Sequence, residues 1–156
     1  MNFPIDIYQI ILLFTDFITQ IRIRQLNKLF YNKLDIYDFY NINHKYLVLL
    51  DNKILRNYPF IKYLNANDNE HITDVNYLTK LEELDAHGDC RINNEGIADL
   101  NLIKINVSCN PFITNLNHMT KLKILIAWDG SEKYWMLVDV LLFSHVVVLV
   151  IRVLSI

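Results

Sequence analysis

Glycine is almost missing from this chain. Three in 156 residues leave no Gly-rich loop to cradle a phosphate and no nucleophile elbow, and no H-E-x-x-H segment occurs. Two cysteines, Cys90 and Cys109, are too few and too far apart for a disulfide scaffold or a paired-cysteine zinc motif, so reduced thiols in a cytosol-like compartment are expected. A formal charge of −2 and a pI of about 6.2 give no basic field, which argues against a nucleic-acid partner. The N-terminus has no positive stretch and carries Asp6 within its apolar run, against a signal peptide; the Asn106-Val107-Ser108 sequon is then a chance match. His71, His87 and His118 fall at different points of the pattern described next and share no metal-ligand spacing. Glu82, Glu83 and Asp85 form an acidic cluster, but Glu83 and Asp85 alternate with Leu84 and Ala86, as on a solvated strand face. Cys109 has no activating Lys or His beside it. Neither catalysis, cofactor nor metal is expected.

What is present is apolar patterning: 53% of the residues are hydrophobic, enough for a real core. Between Ile61 and Gly130 one spacing recurs. Ile61, Leu81, Leu102 and Leu122 are separated by 20, 21 and 20 residues. Three places on stand Leu64, Leu84, Ile105 and Leu125; five on, Ala66, Ala86, Val107 and Ala127; eight on, Asn69, Asp89, Asn110 and Gly130; eleven on, Ile72, Ile92 and Ile113. The second and third apolar positions are two apart, so they share one side of a short strand while their neighbours face the other. Asn69, Asp89 and Asn110 read as a polar ladder satisfying backbone groups where the chain turns inward. One such unit cannot bury its own apolar side; stacked neighbours can, and about three are needed.

The stretches Leu81-Glu-Glu-Leu84-Asp-Ala86-His-Gly-Asp89 and Leu102-Ile-Lys-Ile105-Asn-Val107-Ser-Cys-Asn110 resemble the leucine-rich-repeat family. That resemblance covers somewhat under half of the chain and implies a binding solenoid whose parallel strands line a concave recognition face. In this register the outward positions are Tyr63, Asn65 and Asn67; Glu83, Asp85 and His87; Lys104, Asn106 and Ser108; and Ile124, Ile126 and Trp128. They are the candidate partner-binding residues, with Tyr63 and Trp128 as anchors; the alternative is that they are merely a solvated face.

Residues 3–34 read as a separate helical hairpin. Pro4 suits a helix start, Asp6 its first turn, and Ile7, Ile10, Ile11 and Phe14 recur at helical spacing. Ile21, Ile23, Leu26, Leu29, Phe30 and Leu34 continue a mainly helical pattern covered by Arg22, Arg24, Gln25 and Lys28. Phe3-Pro4-Ile5-Asp6-Ile7 resembles the Leu-Pro-x-Glu-Ile opening of an F-box, and Ile21-Arg-Ile-Arg-Gln-Leu26-Asn-Lys-Leu-Phe30 its Leu-Arg-x-Val-Cys-x-x-Trp segment, with Phe3, Asp6, Asn27 and Phe30 as departures. The resemblance implies docking on a Skp1-like subunit of a cullin ubiquitin ligase through Phe3, Pro4, Ile7, Ile11, Leu26 and Phe30. The alternative is a plain helical cap on the solenoid. Residues 35–60 read as a bridge with a helix over Leu47–Leu55 that ends before Pro59.

Beyond Gly130 the pattern stops, and valine crowds the end of the chain. Trp135 to Ile151 is short for a membrane span and holds Asp139, whose cost of about 2.5–3.5 kcal/mol nearly cancels the gain from its apolar neighbours. A β-rich or helical cap is preferred, with a membrane anchor or an out-of-frame tail as alternatives. The expected fold class is α+β: an F-box-like helical module at 1–36, a helical bridge at 37–60, leucine-rich repeats at 61–130 and an apolar tail or cap at 131–156. The combination resembles the F-box and repeat proteins of giant DNA viruses. It implies a cytoplasmic adaptor that recruits an unknown protein substrate for ubiquitination; a repeat-only binder and a membrane-anchored binder are the other readings.

Overall fold

A computed structural model describes residues 4–128 and the strand pair 147–148. It is a mixed structure of helices and parallel sheet. Among the described residues the elements are α1 (Ile5–Leu12), α2 (Phe17–Gln25), α3 (Lys28–Lys33), β1 (Asp38–Phe39), α4 (His44–Leu47), α5 (Asn52–Leu55), β2 (Tyr63–Asn65), β3 (Glu83–Asp85), a 3-10 turn (Glu95–Ile97), β4 (Lys104–Asn106), β5 (Ile124–Ile126) and β6 (Val147–Val148). The six strands lie in sequence order, each parallel to the next.

The spacing read from the sequence reappears as sheet register. Leu64 pairs with Leu84, Leu84 with Ile105 and Ile105 with Leu125, and all four are buried. Ile61, Leu81, Leu102 and Leu122, with Ala66, Ala86 and Val107, line the same core. Strands of three residues alternate sides, so Tyr63, Asn65, Glu83, Lys104 and Asn106 sit half-buried on the opposite face. Parallel neighbours cannot be joined by tight hairpins. The return segments therefore cross the back of the sheet, and Ile72, Val75, Leu78, Ile92, Ile97, Leu100, Ile113, Leu116 and Met119 close the core from there. Gly96 is required at one close approach: a Cβ there would lie 2.2 Å from the Thr73 carbonyl oxygen.

Four expectations are corrected. The sheet begins one segment earlier than Ile61, because β1 pairs Asp38 with Tyr63 and Phe39 with Leu64. The 37–60 bridge is thus a short strand followed by a pair of one-turn helices, rather than one helix. The longer interval between Phe39 and Leu64, and an aromatic where the pattern shows an aliphatic, hid this strand. The second helical run is not continuous either: Asn27 Oδ1 accepts the Phe30 N–H at 2.9 Å, so α3 starts anew with its own cap and the hairpin becomes three helices. At the other end the pairing passes Gly130, since Ile124 and Leu125 pair with Val147 and Val148. The remaining tail and the span from Trp135 to Ile151 otherwise lie outside the described residues, as do Phe3 and Gly130. Among the described residues no helix is long and apolar enough to cross a membrane.

The fourth correction concerns the polar ladder. Asn69 and Asn110 are buried as expected, but Asp89 is exposed and its neighbour Cys90 is buried instead. The turn from Ala86 to Cys90 takes one residue more than those from Ala66 to Asn69 and from Val107 to Asn110, and the step from Cys90 to Ile92 is one shorter than those after Asn69 and Asn110, which restores the register. Gly88 there has φ +70°, and a Cβ on it would overlap Asp68 Oδ1; only glycine takes this path freely. Cys90 then stands in the ladder, its thiol hydrogen-bonded by the Ile92 backbone and its pKa pushed by burial to about 11.

Candidate protein-docking surfaces

Two surfaces could meet a partner: the half-exposed side of the sheet and the outer side of the helical head. On the sheet, register brings Tyr63, Glu83, Lys104 and Ile124 into one row and Asn65, Asp85, Asn106 and Ile126 into a second. The backbone bonds from Asp68 N–H to the His87 carbonyl and from Gly88 N–H to the Ser108 carbonyl carry a third row through Asn67, His87, Ser108 and Trp128. The sequence-predicted face residues are therefore brought together, though not all are presented. Asp85 and Ser108 are only 8% and 9% exposed. They are buried by their neighbours on the face, which period-two alternation does not register.

Most of the polar groups on this face are already engaged. Asn65, Asp85 and Asn106 each use Oδ1 to accept the N–H two residues on, from Asn67 (2.9 Å), His87 (3.3 Å) and Ser108 (3.1 Å). Each closes the turn that ends its strand, an Asx-type bond. Lys104 donates to Glu83 Oε2 at 3.0 Å and lies 5.2 Å from the Tyr40 ring centroid. The Glu83 hydrogen bond is the leading reason its ammonium pKa is raised. Burial is the leading reason the Tyr40 hydroxyl is raised. Lys62 is similarly held by Glu82 at 3.0 Å. His87 bridges segments: its Nδ1 is 2.6 Å from Asp85 Oδ1 and its Nε2 2.9 Å from Asn67 Nδ2. The Asp85 hydrogen bond raises its pKa, partly opposed by burial. The β5 end differs, with half-buried Ile124 and Ile126 beside Trp128, which is 48% exposed.

The head shows the opposite imbalance. Leu12 and Leu34 are buried, and Phe17 and Ile21 pack on the core, with Phe17 edge-on to Phe39 at 4.8 Å. Yet Ile7, Ile10, Ile11, Leu13, Phe14, Leu26 and Leu29 are exposed, Leu26 at 70% and Phe14 at 85%. So many exposed aliphatics on one small module make it a candidate contact surface. Of the expected head residues, Pro4, Ile7, Ile11 and Leu26 are on the surface, whereas Phe30 is half-buried against Tyr8 at 4.6 Å. Where the head meets the first strands a cleft of about 780 Å3 is lined by Leu12, Phe17, Asp35, Asp38, Lys62 and Tyr63, among others. Burial raises the Asp35 carboxyl pKa, against the pull of Arg24.

Sequence reasoning missed two fixtures that hold these surfaces. Gln9 uses its side-chain amide as a piece of strand, donating to the Asp35 carbonyl (2.8 Å) and accepting the Asp35 N–H (2.9 Å), which joins the head to the chain entering β1. On the back, Asn52 and Asn94 each reach one segment onward: Asn52 Oδ1 accepts the Thr73 N–H at 3.1 Å and Asn94 Oδ1 the Thr114 N–H at 2.9 Å, while their amide nitrogens bond the same threonines' hydroxyls. The second fixture had a signal, since these Asn and Thr residues are 21 and 20 apart, the period of the apolar rows. Among the described residues no group of three or more His, Cys, Asp or Glu could hold a metal ion. No family model matches this chain, and no curated protein or solved structure is significantly similar to it.

Proposed function

We propose that this protein is an interaction adaptor: an F-box-like head docks on a Skp1-like subunit, and a short leucine-rich-repeat solenoid captures a protein substrate for ubiquitination by a separate enzyme. The observation that carries it is the contrast between head and repeats. Among the described residues the repeats bury their core side chains, while the head leaves Ile7, Ile11 and Leu26 exposed. Apolar surface of this kind is stabilised by burial at about 25 cal/mol per Å2, so a partner seated there gains directly. Support for the recruiting face comes from the rows of differing side chains along a common register, with Trp128 and Tyr63 as large anchors of the kind that dominate interfaces.

The test is capture of a purified Skp1-like subunit by the full chain. Ile11→Asp and Leu26→Asp place charges on exposed positions and leave the core untouched, so both should abolish capture with an unchanged circular-dichroism melt. Capture unaffected by either change, or no capture by the wild type, refutes the head's role. A second reading, a repeat-only binding protein whose head is just an N-terminal cap, is favoured by the two Gln9–Asp35 bonds that join the head to the start of the sheet. It predicts no Skp1 capture at all.

A further inference from the structure

His87 occupies the middle of the sheet face and belongs to a continuous chain of side chains that crosses between segments. Asp85 Oδ1 lies 2.6 Å from Nδ1; Asn67 Nδ2 lies 2.9 Å from Nε2 and 3.0 Å from Asp68 Oδ2; Asp68 Oδ1 in turn accepts the Asp89 N–H at 3.0 Å. The partners fix the tautomer. A carboxylate can only accept, so Nδ1 carries the hydrogen; an amide nitrogen can only donate, so Nε2 must be the bare, accepting nitrogen. The neutral ring thus satisfies both neighbours, and Asn67 spends its two N–H groups on His87 and Asp68.

We propose that His87 is a proton-driven switch in this face: a proton taken from water onto Nε2 breaks its bond from Asn67, turns the Asn67 amide over, and separates Asn67 from Asp68. Once Nε2–H exists, two donors confront each other at 2.9 Å. Rotating the amide presents Oδ1 to Nε2–H, but the same rotation puts that oxygen against Asp68 Oδ2, so the Asn67–Asp68 bond is lost. What was a closed chain becomes an imidazolium flanked by Asp85 and Asp68, with the Asn67 amide donors released. The charged groups facing the ring are these two carboxylates, one from β3 and one from the turn after β2. From β4 comes the neutral Asn106 amide, whose Nδ2 lies 3.5 Å from Nδ1, too far to compete for that nitrogen with Asp85 at 2.6 Å, and the Cys90 thiol is held neutral by burial. Both carboxylates favour the protonated ring, and its raised pKa agrees. Asp68 adopts φ 51°, a conformation retained through its contacts, so losing one of them reaches the backbone of the turn. The face then presents a cation and free amide donors in acid, and a neutral, internally bonded row in base.

The switch does not depend on the adaptor role, and wild-type protein tests it. Long-range proton–nitrogen spectra of 15N-labelled chain should show the Nδ1–H tautomer above the His87 midpoint. The Asn67 side-chain NH2 signals should move through the titration with that same midpoint. Asp85→Asn keeps the turn bond to the His87 N–H and should lower the midpoint, while His87→Gln should remove the Asn67 titration and leave the β2–β4 amide signals in place. An Nε2–H tautomer at high pH, or Asn67 signals that ignore the His87 midpoint, overturns the proposal.

Discussion

Replacing Asn69 by alanine should cost this protein a large fraction of its stability, whereas the same change at Asp89, its counterpart in the sequence register, should cost almost nothing. Asn69 is buried, and its amide nitrogen donates to the carbonyls of Leu47 (2.7 Å) and Leu50 (3.0 Å) while its oxygen accepts the N–H groups of His71 (2.8 Å) and Ile72 (2.9 Å). Alanine leaves all four backbone groups in place without that partner, and at about 1 kcal/mol net for each bond the loss is about 4 kcal/mol. A domain's whole stability is typically about 5–15 kcal/mol, so the variant should unfold at much lower urea with an unchanged slope. Asp89 is exposed, and its removal should stay within about 0.5 kcal/mol. Urea titration followed by circular dichroism, extrapolated linearly to water, measures both. A loss below about 1 kcal/mol at Asn69, or equal losses at the two sites, would refute the idea that burial in the ladder, rather than position in the repeat, sets the energy.

Gly96→Ala must push a Cβ against the Thr73 carbonyl oxygen, and overpacking of backbone on backbone should destabilise by about 1–3 kcal/mol in the same assay. Gln9→Ala removes two partly buried hydrogen bonds between the head and the chain entering β1, for about 1–2 kcal/mol, and should raise amide exchange at Asp35 before it does so in β3 or β4. Cys90, with its thiol pKa near 11, should resist alkylation at pH 8 until urea unfolds the chain, whereas exposed Cys109 should react in the native state. His87 has a raised pKa in the folded state. Its contribution to stability is therefore complete below the unfolded value of about 6.5 and fades as pH rises through the folded value. Asp85→Asn should flatten that region of the stability–pH profile.

The periodic region of this molecule was legible because its cause is local. An apolar residue every 20 or 21 positions, with a second three places on, can be buried only by stacking like on like, so Leu64, Leu84, Ile105 and Leu125 met in register as their spacing required. That the face residues stand opposite the core followed from alternation for the same reason, and so did the ladder positions Asn69 and Asn110.

Other features had no such local signature. Phe39 joins the sheet because α2 and Tyr58 pack on its ring, at 4.8 Å from Phe17 and 5.0 Å from Tyr58, not because its own segment shows the period. Cys90 rather than Asp89 entered the ladder because the chain takes one residue more through the Gly88 turn, beside Asp68, and gives it back before Ile92. His87 was one outward residue among twelve until the turns after β2 and β3 stood side by side and gave its ring an acid on one nitrogen and an amide on the other. Spacing along the chain decides which side chains share a side of a strand. Which of them touch, and which are left to meet a partner, is decided by distances between segments that only packing sets.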